Sequence, residues 1–115
     1  MQRILLIMLL ALWPLHASAA AKKTRLWNLT GATITKFELA LTGGANWGPD
    51  QCKNDKDGSV DHDERLAIEG VPDGTYDARI GYGNGRTCFA RNLKIETSKV
   101  FTIDEDQLKD CSNPK

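Results

Sequence analysis

The chain has 115 residues, with 15 Lys and Arg against 15 Asp and Glu, two His and three Cys. A near-neutral, mixed-sign composition gives no electrostatic case for nucleic acid or an anionic membrane as partner. The length suits one small domain, near the lower end of what buries a self-sufficient core.

The first nineteen residues have the three parts of an export signal. Arg3 supplies a positive charge, residues 4–15 are almost wholly apolar, Pro14 breaks the helix that run would form, and Ala17-Ser18-Ala19 is a small-residue cleavage site. The run is shorter than the roughly 18–20 apolar residues of a membrane-spanning helix. Residues 1–19 are therefore expected to form a signal helix that is cleaved, leaving residues 20–115 as one periplasmic or secreted domain with no membrane anchor. Losing Arg3 leaves 14 basic against 15 acidic side chains, the acidic ones gathered at 50–64 and 104–110.

Residues 24–29 and 33–41 read as strands around a turn at Asn28-Leu29-Thr30-Gly31. In the second, Thr33, Thr35, Phe37, Leu39 and Leu41 share one parity, the alternation of a half-buried strand. Residues 45–63 then form a polar stretch rich in Gly, Asn, Asp and Lys, with Trp47 and Val60 as its main apolar members. A loop of this length in a small domain draws attention as a functional segment.

Three strand candidates follow at 65–70, 75–82 and 86–95. Val71-Pro72-Asp73-Gly74 has turn chemistry, and Gly83-Asn84-Gly85 contains the Asn-Gly hairpin signal. In the middle strand Tyr76, Ala78, Ile80 and Tyr82 share a face. Residues 99–103 add a short strand, and 104–108 a single helical turn with acidic residues at its start. About six strands and no long helix define an all-β fold, a small antiparallel β-sandwich or barrel.

Cys52, Cys88 and Cys111 leave one cysteine over after a single pairing. Cys88–Cys111 is the expected disulfide, since both flank structured segments and Cys52 lies in a polar loop; it closes a span worth about 3–4 kcal/mol in the chain-entropy picture. No C-x-x-C is present, so a thioredoxin-like redox site has no support.

Residues 53–64 fit much of a twelve-residue calcium loop. Asp55, Asp57, Asp61 and Glu64 fall at ligand positions and Gly58 at the sharp turn, a spacing that wraps oxygens around Ca²⁺. Lys53 occupies the first ligand position, and no helix-forming segment flanks the loop. The bland alternative is an acidic connector. His62, the only histidine after residue 19, excludes a multi-histidine metal site and leaves Ser59, Ser98 and Ser112 without the setting of a catalytic triad. No catalytic constellation is present, so the chain is not expected to be an enzyme.

Asn28-Leu29-Thr30-Gly31-Ala32-Thr33-Ile34, Trp47-Gly48-Pro49-Asp50, Gly74-Thr75-Tyr76-Asp77 and Gly85-Arg86-Thr87-Cys88 together make the chain resemble a group of small uncharacterised proteobacterial periplasmic β-domain proteins. The resemblance implies one β domain with hairpins and assigns no activity. It favours a turn before Glu64 over a metal loop. The leading functional expectation is a non-enzymatic binding or interaction module, its partner another envelope or secreted protein met through Trp47 and Asp50. The alternative is a calcium-binding domain using Asp55, Asp57, Asp61 and Glu64.

Overall fold

The computed structural model describes residues 22–114. The signal helix expected at 1–19 lies outside the described residues. Six strands are present: β1 (Arg25–Leu29), β2 (Ile34–Leu41), β3 (Arg65–Ala67), β4 (Gly74–Tyr82), β5 (Thr87–Ile95) and β6 (Val100–Asp104). Short 3-10 turns occupy Gln51–Asn54 and Glu105–Gln107. The strands form two three-stranded sheets, ordered β3-β1-β6 and β2-β4-β5, which makes the fold a sandwich.

β1 and β2 are not partners, although the sequence places them around one turn. β1 lies central in the first sheet, antiparallel to β3 and parallel to β6, while β2 opens the second sheet. The turn between them therefore carries the chain from one sheet to the other. Asn28 holds it. This fully buried side chain donates to the carbonyls of Ala32 and Val60, both at 3.0 Å, and accepts from the Thr30 amide and hydroxyl at 3.0 and 2.7 Å. Tyr82 adds its hydroxyl to Thr30 at 3.1 Å, tying the turn to the end of β4. A buried amide with every group satisfied specifies one geometry, because leaving any partner unpaired is costly.

The core lies between the sheets and is built by Leu26, Ile34, Phe37, Leu66, Ile80, Ile95 and Ile103, all fully buried or nearly so. Each such side chain contributes roughly 1.5–3 kcal/mol by leaving water. Phe37 and Phe101 meet with ring centroids 6.3 Å apart, bringing one residue from each sheet together. In β4 the expected face is present: Tyr76, Ala78, Ile80 and Tyr82 are all buried. β2 departs from its expected alternation. Its pairing with β4 shifts between Ile34 and Lys36, a bulge that leaves Thr35 exposed and turns Ile34 into the core beside Phe37.

The stretch 45–63 is the largest difference from the sequence reading. It is a tethered cover along the outer edge of β2. Ile34 and Val60 exchange both backbone hydrogen bonds at 2.9 Å, Gly48 donates to the Leu39 carbonyl at 2.8 Å, and the Asp50 carboxylate accepts the Phe37 amide at 3.0 Å. Gln51, Cys52 and Val60 are buried beneath it. The outer edge of β5 is covered in the same way. Phe89 and Lys109 exchange bonds of 2.8 and 2.7 Å, and Ser112 donates to Thr87 at 2.8 Å. The Cys88–Cys111 disulfide joins these same two segments, as expected. Covered edges resist unwanted pairing with other chains.

Candidate interaction surface

The second sheet turns one row of side chains outward across all three strands: Glu38 on β2 lies opposite Arg79 on β4, and Arg79 opposite Phe89 on β5. Alternation along each strand puts these three on the face away from the core. Arg79 grips Glu38 through two hydrogen bonds of 3.1 Å each, a planar bidentate pair. Trp47 lies on this row. Its ring is 5.9 Å from Phe89, and the Arg79 guanidinium stands 4.8 Å from the centre of the indole. Arg91 adds a second cation, 4.7 Å from the centre of Phe89. Each exposed cation–aromatic contact contributes roughly 0.5–1 kcal/mol, so together they fix ring orientations.

Carboxylates hold both arginines. Arg91 reaches Asp77 at 3.3 Å and Asp110 at 3.6 Å. Asp77 is buried, which raises its pKa, but the amides of Asn92 and Gly43 and the Arg91 cation outweigh burial and hold it below the usual carboxylate value. It accepts the Asn92 amide at 3.1 Å where β5 carries its bulge, and Asn92 takes the left-handed conformation with φ 57°. The outcome is a half-exposed plateau of two aromatic rings and two neutralised arginines on a rigid sheet.

Of the residues singled out in the sequence, Trp47 is on this plateau and Asp50 is not. The Asp50 carboxylate faces inward, accepting the Cys52 amide at 3.0 Å as the cap of the 3-10 turn while also holding β2. Its role is to fix the segment that delivers Trp47. Glu38, Arg79, Phe89 and Arg91 were not foreseen. Their juxtaposition depends on cross-strand register, and the only hint in the chain is that Arg79 and Phe89 fall on the polar parity of their strands.

The four candidate calcium ligands do not converge. Asp55 accepts the Asp57 amide at 3.0 Å, Asp61 accepts the Thr33 hydroxyl at 2.7 Å, and Glu64 folds back onto the Asp61 amide at 3.2 Å. Gly58 does make the sharp turn, with φ 70°. The loop nonetheless stays open, because Val60 is committed to its bridge with Ile34 and Glu64 leads directly into β3. Among the described residues, no three His, Cys, Asp or Glu side chains gather in a way that would hold a metal ion. His62 is occupied with the Thr30 carbonyl, to which its Nδ1–H donates at 2.8 Å.

Cys52, expected in a polar loop, is unpaired and fully buried in the 3-10 turn that this stretch forms. Burial first, and then the neighbouring Asp50 carboxylate, push its thiol up to about 12. A thiol so rarely ionised is chemically quiet. The cleft beside the Trp47 segment measures about 270 Å³ and is lined by Leu39, Leu41, Pro49, Val71 and Tyr76 among others. That is below the roughly 300–1,000 Å³ of small-molecule pockets.

No family model matches the chain, and no curated protein or solved structure matches it significantly. Among the described residues no helix is long and apolar enough to cross a membrane.

Proposed function

We propose that this domain is a non-enzymatic binding module of the periplasm or extracellular space. It engages another envelope or secreted protein through the plateau formed by Trp47, Arg79, Phe89 and Arg91. The observation that carries this reading is the preordered cluster itself: Trp47 in contact with both Arg79 and Phe89, and Arg91 over the Phe89 ring. Trp and Arg dominate the energetic centres of protein interfaces, and side chains already locked in place lose little freedom on binding. The disulfide is in keeping with an oxidising compartment, and the small cleft turns the choice from a small ligand toward a protein surface.

A photo-crosslinking residue placed at Arg91 should trap one partner in the cell envelope, while the same probe at Lys56, on the acidic loop, should not. Equal trapping at the two positions would remove the plateau from consideration.

A further inference from the structure

Among the described residues, three of the four sheet edges are met at least in part by other segments of the chain, whereas β6 is met only at Asp104. β2 lies under the 48–60 segment, β5 under 109–112, and the Ala67 carbonyl of β3 takes the Asn54 amide at 2.9 Å. The phase of the parallel β1–β6 ladder decides which groups of β6 remain. Arg25 donates its amide to the Lys99 carbonyl at 3.1 Å, so Phe101 and Ile103 turn their backbone groups to β1. Val100 and Thr102 therefore turn their N–H and C=O groups outward. Among the described residues nothing pairs with them, and the Asp104 amide alone is taken, by the Gln107 side chain at 2.8 Å. Val100 is one of two large apolar residues standing well out of the surface, at 49 % exposure. The strand has no Pro, no Lys and no bulge to discourage pairing.

Charge identifies the occupant. The near-zero net charge hides a separation along the first sheet. At the start of β6, Lys22, Lys23, Arg25 and Lys99 surround Val100, with Lys94 beside them. Glu96 offsets part of this charge, bridging Lys94 at 3.2 Å and Lys99 at 2.6 Å, and Asp73 lies near Lys99. At the other end the fold joins the two acidic runs of the sequence. Asp104 ends β6, and Glu105 after it accepts the Gly31 amide at 2.6 Å; Asp61 and Asp63 are held to Thr33 and Trp27 at the same turn. An antiparallel copy of β6 laid along this edge, centred on Thr102, sets Thr102 opposite itself and Val100 opposite Asp104. Lys99 then meets Glu105, and the basic end of each copy covers the acidic end of the other.

We propose that β6 pairs antiparallel with β6 of a second copy, joining the two three-stranded sheets into one of six strands about a two-fold axis. The interface is self-complementary, as closed dimers require. Backbone hydrogen bonds from Thr102 provide the ladder, and the opposed charges set its register.

Sedimentation of the exported, oxidised protein at submillimolar concentration tests this. A dimer is expected, weakened by salt and accompanied by slowed amide exchange at Thr102. Thr102→Pro removes an N–H that β1 does not use, and the dimer should be lost while thermal unfolding stays cooperative. Lys99→Glu and Glu105→Lys should each be monomeric alone and dimeric when mixed, which a merely misfolded variant would not be. A monomer at every concentration, or a dimer untouched by Thr102→Pro or unchanged by both charge reversals, overturns the proposal.

Discussion

Two tryptophans carry nearly the same local chemistry in this molecule and end in different surroundings. Trp27 lies on β1, directly opposite Arg65 of β3, whose guanidinium stands 4.3 Å from the ring centre. Its indole N–H donates to Asp63 at 2.9 Å. Every feature of that arrangement is internal: cation, anion and ring belong to one strand pair and the turn feeding it. Trp47 also has an arginine on its ring, but it is brought by a tethered segment to a different part of the chain, where it joins Phe89 and Arg91 on an open sheet face. The difference shows that a cation–aromatic contact alone does not mark a site. What separates the two is whether the stack closes on its own polar partners or extends across a surface.

The most damaging change is expected in the turn beside Trp27. Asn28→Ala would leave the buried Thr30 amide without its acceptor and remove the bonds Asn28 makes to the Thr30 hydroxyl and the Ala32 and Val60 carbonyls, and should lower stability by about 3–5 kcal/mol in chemical denaturation. Asp50→Ala removes the acceptor shared by the Phe37 and Cys52 amides. A loss of about 2–3 kcal/mol is expected, together with faster amide exchange at Phe37. If Asp50→Ala were instead neutral for stability and exchange, the segment carrying Trp47 would not be tethered as described, and the contrast between the two tryptophans would weaken.

Alkaline pH offers a smaller and graded test of the same segment. The Cys52 pKa is raised on folding, so its contribution to stability is complete below the ordinary thiol value. It is lost as pH rises toward about 12, at up to about 1.4 kcal/mol per pH unit. Cys52→Ala should flatten that alkaline slope in equilibrium unfolding measured from pH 9 upward, whereas an unchanged slope would place its origin elsewhere, Tyr82 being the other buried group raised by burial.

Much of the fold is legible from local pattern. β4 alternates cleanly, Asn84-Gly85 closes the β4–β5 hairpin with Gly85 at φ 85°, and all six strands stand within a few residues of where periodicity sets them. The parallel pairing of β1 with β6 was not legible, because it joins the two ends of the domain and leaves no local mark. The bulge at Thr35 was hidden for a related reason: an extra residue reverses parity only in a known register. The 45–63 segment misled by composition. Its polar side chains do face water in part, while its backbone and three of its members, Gln51, Cys52 and Val60, are committed to β2 and the core. Of the interaction surface, only Trp47 was visible, since Arg79, Phe89 and Arg91 come together through sheet register alone.

The central claim is that Trp47, and not Trp27, belongs to a working surface. It is tested most directly by parallel capture from an envelope extract with the wild-type domain, Trp27→Ala and Trp47→Ala, each first shown to unfold cooperatively with its disulfide intact. The expected result is a partner retained by the wild type and by Trp27→Ala and lost by Trp47→Ala. Undiminished capture by Trp47→Ala would contradict the assignment of the plateau as the binding surface.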